Sequence, residues 1–139
     1  MKTPTDVYNT LQIALAHVED LKIYKSVTEY IEPLEHVTDK RPEDVFQRSV
    51  QVLAILKDIS TSTKSGEVEL PTTPDLIKPR DIYQSAIKVV RVLESIKRRL
   101  GVAAQVEPSK AAVRISPSHV YREIDRLDRE LKLLHHAFC

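Results

Sequence analysis

The sequence contains little glycine, few aromatic residues and almost no cysteine. Its 139 residues include 2 glycines, 1 cysteine and no tryptophan, and aromatic side chains make up 5% of the chain. So few glycines do not suit a turn-rich sheet, whereas 8 prolines suit long helices with marked ends. Because Cys139 is the single cysteine, an intrachain disulfide, a cysteine zinc site and Cys-x-x-Cys redox chemistry are excluded.

An excess of charge of one sign is also missing. The 21 lysines and arginines nearly balance the 20 aspartates and glutamates, and the formal net charge is +1. This balance lacks the basic footprint of a dedicated nucleic-acid-binding protein, so nucleic acid is not expected as a partner. No run approaches eighteen apolar residues, so no transmembrane segment is predicted. The compartment stays open, because a lone cysteine fits the cytoplasm and a trimmed envelope domain equally well.

What the sequence does contain is a recurring pentapeptide. It begins at Pro4, Pro42, Pro79 and Pro117, which are 38, 37 and 38 residues apart. Each proline is followed at the second position by Asp or His, at the third by Val or Ile, and at the fourth by Tyr or Phe. A fixed period of about 38 residues predicts four internal repeats that form one domain over residues 1–139.

Each repeat predicts one amphipathic helix. The positions three, seven, ten, fourteen and seventeen after the proline are apolar in every case but Ser49, and this alternation of four and three is heptad spacing. Proline suits the first position of a helix, and an acid suits its first turn. We therefore predict an all-α four-helix bundle with helices over 4–30, 42–60, 79–100 and 117–137. Its buried seam is predicted to be Val7, Leu11, Ala14, Val18, Leu21, Val45, Ser49, Val52, Leu56, Ile59, Ile82, Ala86, Val89, Leu93, Ile96, Val120, Ile124, Leu127, Leu131 and Leu134.

The connections between the helices determine their directions. Two connections are longer than a bundle needs and could carry the chain back along the bundle. We favour an up-down-up-down order, because the first connection is short if the first helix reaches Tyr30. In that order Tyr8 and Tyr83 would share one end, and Phe46 and Tyr121 the other.

The candidate ligand-binding residues are the recurrent aromatics Tyr8, Phe46, Tyr83 and Tyr121, together with His119. The rings could simply plug the ends of the bundle, or they could line a pocket there beside free helix N-termini. His119 replaces the first-turn aspartate in the fourth repeat alone, and helix stability does not explain that choice. We therefore favour the end with Phe46, Tyr121 and His119 as the ligand site.

A metal or acid–base site is the alternative. One end would combine Asp6 and Asp81 with His135 and His136, and the other would combine Asp44 with His36 and His119. Carboxylate plus imidazole is the composition of a zinc or iron site and of an acid–base pair. However, no His-x-x-x-His or Glu-x-x-His spacing occurs, so we predict no metal and no cofactor.

The fourth predicted helix differs from the others in its charge. It carries Asp125 and Asp128 eight and eleven residues after its proline, where the other helices are mostly apolar. We interpret it as the peripheral helix with a solvated, salt-bridged face. The alternative is a recognition surface for another protein or, less favoured, for a nucleic-acid backbone. Helices two and three have wide apolar flanks, which would allow a homodimer.

Nothing in the sequence indicates nucleophilic catalysis. There is no Gly-x-Ser-x-Gly elbow, two glycines cannot form a phosphate-binding loop, and the seam is aliphatic. We therefore expect no enzyme and no catalytic residues, but a helical-bundle module for protein interaction or small-ligand sensing. The alternative function is a small metal-binding or acid–base protein with its site at a bundle end.

Overall fold

The computed structural model of this chain describes residues 3–32, 34, 37–103, 106 and 115–139. Within these ranges it contains no strand and four α-helices: α1 (Pro4–Tyr24), α2 (Pro42–Thr63), α3 (Pro79–Leu100) and α4 (Pro117–Phe138). The predicted all-α four-helix bundle is confirmed, and each helix begins at its predicted proline. In the described part of the chain no helix combines the length and apolarity that a membrane span requires.

All four helices begin in a similar way. The proline occupies the first turn, and the side chain three residues after the N-cap accepts a hydrogen bond from the backbone N–H of the N-cap residue. In α1 the Thr3 N–H donates to Asp6 Oδ2 at 2.8 Å. In α2 and α3 the carboxylates of Asp44 and Asp81 accept from the N–H groups of Arg41 and Lys78 at 2.9 and 2.8 Å. The repeated acid of the pentapeptide therefore satisfies a backbone donor at each of these starts.

The end of α1 differs from the prediction. The helix ends at Tyr24 and not at Tyr30, because Ser26 takes a left-handed conformation with φ of 56°. The Val27 N–H then donates to the carbonyl of Lys22 at 2.8 Å, which closes the helix in a Schellman-type turn. The apolar residues that continue past Tyr24 predicted a longer helix. They fit the observed turn equally well, because an apolar residue commonly follows a Schellman turn and packs back on the helix.

The next two helices end through the same kind of turn. Lys64 follows α2 with φ of 57°, and the Ser65 N–H donates to the carbonyl of Ser60 at 2.9 Å. Gly101 follows α3 with φ of 76°, in agreement with its predicted role as the stop. Thus α2 runs three residues beyond its predicted end, whereas α3 ends where predicted.

The seam prediction is confirmed at every position. All twenty predicted residues are buried, and Leu11, Val52, Leu93 and Leu127 are fully inaccessible. The connections add Val68 and Ile115 to the same apolar cluster. The core therefore runs along the whole bundle axis.

The predicted up-down-up-down order is wrong, because all four helices run in the same direction. The four motif prolines line one small pocket at one end of the bundle. At the other end the Ser62 hydroxyl in α2 donates to the carbonyl of Phe138 in α4 at 2.8 Å. Each connection holds about 15 to 17 residues, enough to span about 50 Å, whereas a helix of 22 residues is only about 33 Å long. Because α1 ends at Tyr24 and not at Tyr30, the first connection is longer than predicted and can also carry the chain back along the bundle.

The helices follow the order α1, α3, α2, α4 around the core. α1 packs against α3 and α4, and α2 packs against the same two helices, so α1 and α2 face each other across the core. The connection over residues 64–78 joins the neighbours α2 and α3, and we call it the α2–α3 crossover. It is held by buried Val68 and by the Ser60 hydroxyl, which donates to the carbonyl of Gly66 at 2.7 Å.

Candidate functional site

The four recurrent aromatics lie at one end of the bundle, because the helices are parallel and each ring stands four residues after its proline. The predicted division into two pairs at opposite ends is therefore wrong. Phe46 is only 2% exposed, and Tyr8, Tyr83 and Tyr121 are partly buried against the core. The centre of this end is a pocket of about 60 Å³, and it is lined by residues other than the aromatics. Those lining residues are Thr3, Pro4, Val7, Pro42, Val45, Pro79, Ile82, Pro117 and Val120.

Tyr121 lies in the groove between α4 and α2. The Lys40 ammonium stands 4.3 Å from the centre of its ring, and the Arg48 guanidinium carbon stands 6.0 Å from it. Two cations on one ring are a stabilising arrangement that covers its face. Tyr121 thus has a packing role in the described structure.

Phe46 borders a groove at this end of the bundle. The groove has a volume of about 460 Å³ and lies between α2, α3 and the α2–α3 crossover. One wall is apolar and comes from Phe46, Pro71 and Pro74. The polar lining residues are Thr72, Asp81, Gln84, Ser85 and Lys88.

Four of the polar lining residues belong to α3, among them Ser85 and Lys88. Ser85 is 5% exposed and lines the groove. Lys88 reaches the crossover and donates from Nζ to the carbonyl of Glu69. Polar side chains beside an apolar wall are typical of a small-molecule site, because they can fix the orientation of a ligand.

His119 has a structural role that the sequence argument missed. Its Nδ1 accepts a hydrogen bond from the Ser116 N–H at 3.0 Å, so it does in α4 what aspartate does in the other three helices. The premise that helix stability does not explain this histidine is wrong. The predicted ligand role of His119 stays a prediction.

The predicted pairing of acids with terminal histidines is also wrong. Asp6, Asp44 and Asp81 lie at the start of the parallel helices, whereas His135 and His136 lie in the last turn of α4. His135 Nε2 instead lies 3.1 Å from Asp58 Oδ2 in α2. His36 falls outside the described residues. Among the residues that the structure describes, no group of three or more His, Cys, Asp and Glu side chains is placed to hold a metal ion.

The interpretation of α4 as a peripheral, solvated helix is wrong. Asp125 and Asp128 are 7% and 1% exposed, and both carboxylates pair with Arg48 of α2. Asp128 Oδ2 lies 3.1 Å from Arg48 NH2 and 3.0 Å from Lys132 Nζ. The charged face of α4 is therefore the face that it packs against α2. Helical periodicity alone does not distinguish a solvated charge from a buried, paired one.

Two buried lysines are functional candidates that the sequence analysis missed. Lys22 Nζ lies 2.7 Å from Glu130 Oε2 in α4, and Lys97 Nζ lies 2.7 Å from Asp20 Oδ2 and 3.0 Å from His17 Nδ1 in α1. Both lysines stand eighteen residues after their motif proline, directly beyond a seam residue. That shared position was the signal that could have identified them.

The apolar flanks of α2 and α3 are covered within the chain. Leu53 and Val90 are buried, and Val50 and Ile87 are partly buried. The homodimer prediction therefore loses the premise on which it was based and stays a prediction.

The chain matches no family model, and searches of curated proteins and of solved structures return no similar chain.

Proposed function

We propose that this chain is a non-enzymatic module that binds a small ligand in the groove between α2, α3 and the α2–α3 crossover. The observation that carries the proposal is a groove of about 460 Å³ that combines an apolar wall with polar side chains, among them the largely buried Ser85. This volume lies within the range of about 300 to 1,000 Å³ that small-molecule sites occupy. Of the five predicted ligand residues, Phe46 lines this groove.

The lining defines the chemistry of the ligand. Phe46, Pro71 and Pro74 offer flat apolar surfaces, so the ligand carries an apolar or aromatic portion. Ser85 and Gln84 can each donate and accept, so the ligand also carries a hydrogen-bonding group. Asp81 and Lys88 place one charge of each sign in the lining, which favours a polar, uncharged or zwitterionic group over a strongly charged one.

A substitution that fills the groove tests this proposal. We expect amide fragments with one aromatic ring to shift the NMR signals of residues 72 and 84–88 in the wild type. Ser85→Leu fills the groove and should abolish these shifts, whereas the matched control Ala54→Leu, at an exposed site on α2, should retain them. Shifts that persist in Ser85→Leu, or that occur only at other residues, would refute the groove as the site.

Contact with a protein partner is a second proposed function, and a different observation favours it. Ile23, Tyr24 and Tyr30, at the end of α1 and just beyond it, are 75%, 49% and 68% exposed. Large apolar side chains that stay exposed close together in the chain are typical of a protein contact. Light scattering at high concentration tests whether the partner is a second copy of the chain, and the variant Ile23→Glu should then remain monomeric. A wild type that is monomeric throughout excludes the homodimer.

A further inference from the structure

A buried histidine and a buried lysine meet in the seam between α1 and α3. His17 is 1% exposed and Lys97 is fully buried. Lys97 Nζ lies 3.0 Å from His17 Nδ1. Because an ammonium group only donates, His17 Nδ1 must accept, which requires a neutral imidazole with its proton on Nε2.

The charged groups that act on His17 come from α1 and α3. α3 contributes Lys97 and Glu94, and α1 itself contributes Asp20, whose carboxylate accepts from Lys97 at 2.7 Å. At the contact between α1 and α4, Glu130 is paired with Lys22 at 2.7 Å. Burial is the largest influence on the pKa of His17 and lowers it, and the Lys97 charge lowers it further, while Glu94 and Asp20 raise it by smaller amounts.

We propose that the contact between His17 and Lys97 is an acid-sensitive switch that opens the α1–α3 seam near the helix ends. Protonation of Nδ1 replaces the acceptor with an N–H that faces the Lys97 ammonium, so two positive charges are buried next to each other and repel. The seam must then separate locally to let water reach them. The Lys97 carbonyl also accepts the Val102 N–H at 2.8 Å, so movement of Lys97 loosens the turn that ends α3.

The sign of the pH effect follows from the lowered pKa. An unfolded chain binds a proton on His17 near the ordinary pKa of about 6.5, whereas the folded chain binds it only at lower pH. The stability that depends on neutral His17 is therefore complete above about pH 6.5 and is lost progressively as the pH falls below that value.

The variant His17→Gln tests the proposal, because its amide oxygen can accept from Lys97 but does not titrate. We expect the urea midpoint of the wild type to fall, relative to that of His17→Gln, between about pH 7.5 and about pH 5. Over the same interval, hydrogen exchange of residues 14–22 and 93–102, corrected for intrinsic rates, should increase in the wild type and not in the variant. An identical pH dependence in both proteins would overturn the proposal.

Two further variants keep the test decisive. His135→Gln is the matched control, because it replaces a histidine but leaves the contact between His17 and Lys97 intact, so the acid-induced fall of the midpoint should persist. If His17→Gln does not fold, Lys97→Met removes the opposing cation, and the acid-induced loss should then shrink. A loss that is unchanged in Lys97→Met would refute the role of this contact.

Discussion

α2 and α4 have the same length, 22 residues, and yet they differ in both charge and exposure. α2 carries five Asp, Glu, Lys and Arg residues, and eight of its residues are exposed. α4 carries eight such residues, and only His119, Lys132 and His136 are exposed. Of these two helices, the more charged one is thus the more enclosed, because acids of α4 pair with cations of α1 and α2.

The path of the chain contributes to this difference. Lys22 donates to the carbonyl of Glu29 at 2.8 Å as well as to Glu130, so the connection after α1 passes close to α4. The same connection returns to α4 at Lys40, whose ammonium stands over the Tyr121 ring. α4 is therefore enclosed by α1, by α2 and by this connection, and the charge content of a helix does not indicate its exposure.

The largest effect should come from breaking the buried pair of α4. Glu130→Ala leaves the buried Lys22 ammonium without its main carboxylate partner, and we expect a loss of about 3 to 5 kcal/mol in the free energy of unfolding. Urea denaturation measures this loss. The control Gln47→Ala, at an exposed site on α2, should change it by about 0.5 kcal/mol at most. A loss below about 1 kcal/mol for Glu130→Ala would mean that α4 is solvated after all.

Truncation of the aliphatic seam should affect the two helices alike. Leu56 in α2 and Leu131 in α4 stand fourteen residues after their prolines, and both are fully buried. We expect Leu56→Ala, Leu131→Ala and the corresponding Leu93→Ala in α3 each to cost about 2 to 5 kcal/mol, measured by the same denaturation. Any of them that costs less than about 0.5 kcal/mol would contradict its place in the core.

A smaller effect on stability is expected at the first turns of α2 and α4, which differ in the side chain that accepts from the N-cap residue. His119→Ala removes the acceptor of the Ser116 N–H, and we expect a loss of about 0.3 to 1.5 kcal/mol. His119→Asp restores the acceptor that α2 has in Asp44, so its thermal midpoint should equal or exceed that of the wild type. Destabilisation by both substitutions would show that the imidazole itself is needed.

The smallest effect should appear where α2 ends. Lys64 has φ of 57°, a conformation that costs a side chain about 1 to 2 kcal/mol and glycine almost nothing. Because glycine adds freedom to the unfolded chain, Lys64→Gly should stabilise the protein by a net amount of about 0.5 to 1 kcal/mol. Gly101→Ala is the reverse control at the end of α3, where no atom lies within 4 Å of the added carbon. Calorimetry that finds both changes neutral would contradict the left-handed turns.

The helices and their core were predictable because they depend on local pattern. Proline at the first position, an acid in the first turn and apolar residues at heptad spacing all act within one helix, and Val52 or Leu127 is buried whichever way its neighbours run. The position of the four aromatics within their helices followed from the same pattern.

The direction of the helices, the burial of charge and the groove were not predictable, because they depend on residues that are far apart in the chain. The direction of α2 depends on the path of a connection, and long connections allow either direction. The burial of Asp128 depends on Arg48, which lies 80 positions away in the chain and on another helix. The groove beside Phe46 needs Pro71 and Pro74, which lie in the α2–α3 crossover and follow no heptad pattern.

The parallel order of the helices also determines how the protein folds. Consecutive helices cannot form a local hairpin, so the interactions of α1 join residues that are far apart in the chain: 80 positions separate His17 from Lys97, and 108 separate Lys22 from Glu130. Rates of folding decrease as the mean sequence separation of contacts rises. We therefore expect this bundle to fold more slowly than an up-down bundle of the same size, with α1 gaining its neighbours only after α3 and α4 have formed.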